Sequence, residues 1–298
     1  MTENALNTRN AKSMRDMRVL VTGATGRIGR RVAEAAEAAG CTVRAASRSG
    51  AVRSGAVRSE AVRFDWYDPS TWEDALRGAD AAYLAYVPDV GAPGAGDAVG
   101  ALSRRAVELG VRRLVLLSAR GEDQAEPAER AVRESGAQWT VVRASWFAQN
   151  LSEGPLLDGM RAGELVFPAG EVLEPFIDAR DVADVVTAVL RPDSGYAGQV
   201  VEISGPRLLS FRDAVGEVSA AAGREIRYVP VSAREYGGAL AGYGVPAEEV
   251  EFLTELFETN LDGHNAYLSE GVREILGRAP RDFTDFAREQ AEAGVWKG

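Results

Sequence analysis

The chain has 298 residues, a formal net charge of −10 and a hydrophobic fraction of 46%. That length suits one large α/β domain or a domain with a small partner, and the acidic balance speaks against nucleic acid, whose phosphate backbone needs a cationic face. One cysteine, Cys41, and one histidine, His264, leave no intrachain disulfide and no cysteine or multi-histidine metal cluster, so no metal site is expected.

Residues 1–16, MTENALNTRNAKSMRD, are polar without an apolar h-region and read as a disordered leader rather than a signal peptide. No run of about 18 apolar residues occurs, so a cytoplasmic protein with no membrane partner is expected. The organising stretch is Met17–Arg31, MRVLVTGATGRIGRR. An apolar strand over Val19–Val21 runs into a loop punctuated by Gly23, Gly26 and Gly29, and a helix-period pattern continues to Gly40. Without Cβ atoms such a loop lies close to a pyrophosphate, and the helix N-terminus aims its N–H groups at the anion. The GxxGxxG spacing departs from the common GxGxxG, but strand before and helix after supply the structural context the motif needs.

Cys41–Ala46 reads as a second strand ending at Ser47-Arg48. In dinucleotide folds a carboxylate here holds a ribose 2′-hydroxyl, whereas an arginine accommodates a 2′-phosphate. The strand end has no carboxylate, so NADP(H) is favoured over NAD(H); the bland alternative makes Arg48 a solvated loop charge. GAVRS at Gly50–Ser54 recurs at Gly55–Ser59 and reads as an expanded surface loop whose Arg53 and Arg58 are solvated or reach the cofactor phosphate. A third strand is expected near Ala61–Phe64, then a short helix in DPSTWEDALRG capped by Asp68 or Ser70. Ala79–Val87 is a fourth apolar strand. Ligands of open parallel sheets gather at the carboxyl ends of strands, which brings Ala85, Tyr86 and Val87 near the cofactor.

A helix over Asp97–Leu109, a strand Arg113–Leu117 ending at Ser118, a helix Glu126–Ser135 and a strand Trp139–Arg143 complete an alternating pattern, hence a doubly wound parallel sheet. Insertions follow from Leu151. Asp178-x-x-Asp181 opens a helix to Leu190, and capping explains both carboxylates. Gln199–Ser204 is a seventh strand; Ser210–Ala222, Ala233–Gly242, Ala247–Thr259, Asn265–Leu276 and Asp282–Glu292 read as helices. His264 is read as a loop or helix-start residue. Tyr228, Tyr236, Tyr243, Phe252, Phe257 and Tyr267 gather here, mostly as core, with one or two suited to lining an apolar pocket for a flat substrate.

TGATGRIG after the first strand, Ser-Arg ending the second, FD at 64–65, LVLLSARG at 114–121 and AERAVRESGAQWTVVRASWFAQN at 128–150 occur in one order with FIDARDVADVVTAVL, VEISGPRLLSF and GRAPRDFTDFARE. From Met17 to about Glu292 the chain thereby resembles the NmrA-like branch of the atypical short-chain dehydrogenases. The resemblance implies a Rossmann domain over 17–150, rejoined by 177–204, and a smaller, mostly helical substrate lobe over 151–176 and 205–298. It further implies that Gly23, Thr25, Gly26, Arg27 and Ile28 hold the pyrophosphate, Arg48 the 2′-phosphate, and Asp65 and Trp66 the adenine. Ala85, Val87 and Ser118 would approach the nicotinamide, and Tyr86, Trp146, Phe147 and Asn150 the substrate.

One departure concerns catalysis. Short-chain dehydrogenases use a Tyr-x-x-x-Lys pair in which the lysine lowers the tyrosine pKa; here the only lysines are Lys12 and Lys297. Ala125 and Glu126 stand where relatives often carry a lysine shortly before the residue matching Glu129. A proton would come from Tyr267, Asp178 or water. The expectation is an NADP(H)-dependent oxidoreductase acting on a small, flat or aromatic molecule, such as a quinone, an activated C=C bond or an iminium ion. The alternative is a non-catalytic NAD(P)-sensing regulator. Sugar epimerase or dehydratase chemistry is disfavoured because it relies on the missing pair.

Overall fold

The computed structural model describes residues 13–51 and 59–297. Residues 1–12 of the expected leader, with Lys12, and residues 52–58, with Arg53 and Arg58, lie outside the described residues. In chain order the elements are β1 (Arg18–Val21), α1 (Gly29–Ala38), β2 (Thr42–Ser47), β3 (Ser59–Arg63), α2 (Trp72–Leu76), β4 (Ala81–Leu84), α3 (Ala95–Glu108) and β5 (Arg113–Ala119). Next come α4 (Glu126–Arg133), β6 (Gln138–Ala144), α5 (Leu156–Ala162), β7 (Glu164–Phe167), β8 (Leu173–Glu174), α6 (Ala179–Leu190) and β9 (Gln199–Ile203). The chain closes with β10 (Leu209–Ser210), α7 (Phe211–Ala222), β11 (Arg227–Pro230), α8 (Ala233–Gly242), α9 (Ala247–Asn260), α10 (Gly271–Leu276) and α11 (Phe283–Glu292). No helix among the described residues is long and apolar enough to cross a membrane.

The chain packs as two units, Met1–Ser118 with Asp123–Arg143 and Val182–Val201, and Ala119–Glu122 with Ala144–Asp181 and Glu202–Gly298. The seven-stranded parallel sheet runs β3-β2-β1-β4-β5-β6-β9. Val19, Leu20 and Val21 are wholly buried, the uninterrupted apolar run of a strand covered on both faces. Val19 stands opposite Val43 on one side and Ala81 on the other. Strand order reverses between β1 and β4, and that switch point opens the crevice where such sheets bind ligands. Helices α3 and α4 approach closely because Gly96 and Gly100 carry no side chain: added Cβ atoms would meet Pro127 Cβ at 2.9 Å and Ala131 Cβ at 3.1 Å.

The second unit is built on Met160, Phe167, Phe176, Phe211, Phe283, Phe286 and Trp296, all buried. It contains two ladders that the sequence reading did not anticipate, β8 with β10 antiparallel and β7 with β11 parallel. Their strands are two to four residues long, too short to display a period. The aromatic residues expected to gather in this unit divide: Tyr228 is buried, Tyr236 and Phe257 pack against the core, and Tyr243 is 88% exposed. Only Gly271–Leu276 of the expected Asn265–Leu276 helix is helical. Upstream, Ser269 donates its N–H to Ser204 Oγ (2.9 Å), a side-chain partner that replaces the helical one.

Packing divides the chain at Arg143 and Val182 rather than near Asn150 and Ile177. The reason is a backbone exchange inside the second unit, in which Ala148 N–H donates to the Ile177 carbonyl and Ile177 N–H to the Trp146 carbonyl, both at 2.9 Å.

Candidate functional site

The three glycines of the β1–α1 turn serve different purposes. Gly23 takes φ +62°, a left-handed conformation that side chains disfavour. Gly29 packs against the same turn: an added Cβ would stand 2.6 Å from the Gly23 carbonyl carbon and closer still to its oxygen. Gly26 donates its N–H to the Gly23 carbonyl at 2.8 Å and is exposed beside Thr25. Closure of the turn on itself, beyond approach to a ligand, therefore demands Gly29. Helix α1 begins behind Ile28 with no side-chain cap bond and no acidic residue in its first turn, so no carboxylate offsets the positive end of its dipole. The Ile28 side chain is buried, leaving its backbone for any ligand. Thr22, wholly buried, donates to the Tyr83 carbonyl (3.1 Å) and accepts from Ala85 N–H (2.8 Å), which locks β1 to the end of β4 at the switch point.

The carboxyl ends of β3 and β4 come together. Trp66 is buried, donates Nε1–H to the Ala85 carbonyl (2.9 Å), and packs on Phe64 and Tyr86 with centroids 5.1 Å apart in each case. Asp65 accepts from Tyr67 N–H (3.0 Å). Tyr86, expected on the substrate side, forms part of this aromatic wall; burial, reinforced by Tyr67, pushes its hydroxyl up to about 12. Tyr67 and Val87 are the exposed members, joined by a hydrogen bond from the Tyr67 hydroxyl to the Val87 carbonyl (3.2 Å). At the end of β2, Ser47 bonds the Ala51 carbonyl (3.0 Å), while Arg48 is exposed and makes no ion pair among the described residues.

Ser118 donates its hydroxyl to Glu129 Oε1 at 2.6 Å, and Arg143 grips the same carboxylate through Nε (2.8 Å) and Nη2 (2.7 Å). Glu129 is 1% exposed. This triad joins β5, α4 and β6, and the pattern of none of these elements shows it. Its consequence is chemical, since the Ser118 proton is already committed to a carboxylate.

In the second unit, Trp146 packs against Phe167 and Phe211 at 5.6 and 5.5 Å, which makes its ring part of the core edge. Phe147 and Asn150 are half-buried. Gln149, unnoticed in the sequence, accepts from Ala179 N–H (2.7 Å) at the start of α6. Asp178 is buried and held by Arg180 through the backbone N–H (2.7 Å), Nε (3.0 Å) and Nη2 (2.7 Å). Burial pushes its carboxyl up, but the Arg180 hydrogen bonds and charge outweigh this and leave it below the ordinary range. An acid held in that state anchors a helix and donates no proton near neutrality. Tyr267 is 44% exposed, donates its hydroxyl to Glu202 Oε2 (2.9 Å), and lies under the Arg120 guanidinium, 4.2 Å from the ring centroid.

An uncapped helix terminus behind a glycine turn, at the switch point and next to a strand end with arginine in place of a carboxylate, fits a dinucleotide with a phosphorylated ribose. Comparison with known proteins agrees on the cofactor class. A family model described as NAD(P)H-binding matches residues 23–193. The chain is 32% identical over 242 residues to an NAD(P)H azoreductase of Xenophilus azovorans, spanning 77% of this chain and 82% of that protein. It is 30% identical over 228 residues to prestalk A differentiation protein A of Dictyostelium discoideum, spanning 76% and 75%. The Citrobacter sp. triphenylmethane reductase, solved with NADP(H), shares the fold at TM-score 0.72 and 19% identity, over 92% of this chain and 99% of that one.

Proposed function

The chain belongs to the NAD(P)H-binding family and is an NAD(P)H-dependent oxidoreductase; from that premise we propose that it falls in the NmrA-like branch and uses NADP(H) to reduce a small, flat organic acceptor in the cytoplasm. The observation that carries the acceptor class is the absence of any lysine between Lys12 and Lys297. Without a Tyr/Lys pair, acceptors that need little proton donation are favoured: quinones, activated C=C bonds and iminium ions. The name azoreductase, carried by a protein 32% identical to this chain, denotes a conjugated acceptor and supports the reading.

A nicotinamide, when bound, would supply the hydride. The chain's own residues position the reactants. Gly23, Thr25, Gly26, Arg27 and the Ile28 backbone would hold the pyrophosphate, Arg48 the 2′-phosphate, and Asp65 and Trp66 would flank the adenine. Ala85, Val87 and Ser118 would border the nicotinamide, with Ser118 offering a fixed oxygen because its hydroxyl hydrogen is directed at the Glu129 carboxylate. Phe147 and Asn150, half-buried, and the edge of Trp146 are the substrate contacts expected of the second unit, and Tyr86 is the one expected of the first. Tyr267 stays the candidate proton donor, and the Arg180 pairing favours a structural part for Asp178.

The same missing pair favours a second reading, a cofactor sensor without turnover. Titration of NADPH and NADH into the wild type and Arg48→Ala, followed by NADPH oxidation against quinones, iminium ions and ketones, separates the two. Loss of Arg48 should weaken NADPH roughly 10- to 100-fold, the scale of one charge-assisted phosphate contact, and leave NADH unchanged. Turnover of quinone or iminium supports the reductase; turnover of ketones alone refutes the acceptor class; tight binding with no turnover favours the sensor.

A further inference from the structure

At the carboxyl edge of the sheet a largely exposed ring is held in place. The segment Asp65–Tyr67 leaves β3, which β2 and β1 separate from β4, yet two hydrogen bonds tie it to the end of β4. Trp66 donates Nε1–H to the Ala85 carbonyl (2.9 Å), and the Tyr67 hydroxyl donates to the Val87 carbonyl (3.2 Å). The segment and its side chains thus reach across three strand spacings, about 14 Å, past the ends of β2 and β1, from which Ser47-Arg48 and the glycine turn emerge. Its backbone is fixed as well. Asp65 donates its N–H to Thr71 Oγ1 (3.0 Å), its carbonyl accepts from Trp72 Nε1–H (2.8 Å), and its Oδ1 accepts from Tyr67 N–H (3.0 Å). The rings differ in what they leave open. Trp66 is 7% exposed and packs on Phe64, Trp72 and Tyr86, whereas Tyr67 is 70% exposed and packs on Tyr86, with centroids 6.4 Å apart. All of these residues belong to the first unit.

We infer that Tyr67 is the platform on which the adenine of the dinucleotide stacks, and that Trp66 supports this platform from within, through Tyr86. The inference rests on the NADP(H) reading and names the residue that offers the base a face. Stacking needs an accessible π-face; neighbouring rings cover the Trp66 indole, and the Tyr67 ring is open. Position points to the adenine rather than to the acceptor. Arg48, expected at the 2′-phosphate, follows β2, and β3 is the neighbour of β2, with Ser47 opposite Arg63. A base attached to a ribose at the end of β2 therefore reaches the residues that leave β3. An acceptor has to lie against the nicotinamide, across the switch point at β4 and β5. The hydroxyl bond to Val87 and the contact with Tyr86 order the Tyr67 ring before a ligand arrives, so stacking costs little side-chain freedom.

The test is isothermal titration of 2′,5′-ADP, the adenine half of NADP(H) with its 2′-phosphate, into the full chain. Tyr67→Leu keeps an apolar side chain without a π-face and should bind 2′,5′-ADP roughly tenfold more weakly, the scale of one base–aromatic stack. Tyr67→Phe keeps the ring, loses the hydroxyl bond to Val87, and should bind within about threefold of wild type. Because the side chain is exposed, both variants should keep the wild-type Tm. A folded Tyr67→Leu that binds 2′,5′-ADP like wild type overturns the stacking and leaves the NADP(H) reading standing. Tyr67→Phe as weak as Tyr67→Leu overturns it too, since the effect then belongs to the hydroxyl bond and not to the ring. Weaker binding of 2-methyl-1,4-naphthoquinone to NADP⁺-loaded Tyr67→Leu, with 2′,5′-ADP affinity unchanged, makes the acceptor the occupant and likewise overturns the inference. A wild type that binds neither 2′,5′-ADP nor NADPH refutes the NADP(H) reading together with it.

Discussion

Gly29→Ala is the sharpest perturbation of the dinucleotide turn. The added methyl would stand 2.6 Å from the Gly23 carbonyl carbon and 3.0 Å from the Thr22 oxygen, and real Cβ atoms essentially never approach within 3.0 Å. Both neighbours are backbone, so no side chain can swing away, and the turn itself has to move. Overpacking of this kind costs about 1–3 kcal/mol, and alanine's better helix propensity at the start of α1 returns at most about 1 kcal/mol. A net loss of about 2 kcal/mol lowers Tm by roughly 4–8 °C in a domain of this size. The displaced carbonyl belongs to Gly23, whose φ of +62° sets the turn, so NADPH affinity should fall at least about tenfold with stability, the scale of one lost hydrogen-bonding group. Gly216→Ala is the control, because a Cβ there on α7 meets nothing and should leave Tm unchanged or slightly raised. Thermal melts and NADPH titrations on the same preparations check both. A Gly29→Ala protein that melts and binds cofactor like wild type would refute the close-approach argument.

Two further outcomes follow from ion pairs of the second unit. Asp181 is wholly buried and accepts from Arg278 Nη2 (2.7 Å), from Arg281 N–H (2.7 Å) and from the Arg281 guanidinium; Asp181→Asn removes the charge these bonds share and should cost about 1–3 kcal/mol, seen as a lower urea midpoint, and an unchanged midpoint counts against it. Hydrogen bonds from Arg207, then from Thr284, hold Asp282 down at about 2 against its partial burial. Its folded pKa lies below the unfolded value near 3.9, so its stabilisation is complete above about pH 4 and is lost as pH falls through about 2; Asp282→Asn should flatten that acid limb in melts between pH 2 and 5.

Much of the cofactor side was legible in local pattern. An apolar triplet, glycines at 23, 26 and 29 and a 3.6-residue period spell strand, turn and helix, because backbone freedom and side-chain periodicity are properties of neighbouring residues. Alternation over the next hundred residues announces the parallel sheet. Lysine content removes the Tyr/Lys pair by composition alone. The rest depended on residues far apart in the chain. Nothing around Thr22 signals that its hydroxyl ties β1 to β4, and nothing around Glu129 signals that Ser118 and Arg143 share its carboxylate. The β7–β11 ladder joins segments some sixty residues apart, beyond the reach of any local period. Asp178 reads as a cap or an acid until Arg180 is seen to hold it, and nothing around Trp146 signals that its ring packs against Phe167 and Phe211. Glu174 is one carboxylate among many in the sequence; tertiary packing alone removes it from water and leaves its oxygen without a partner, since burial is a property of what the remaining chain places around a residue.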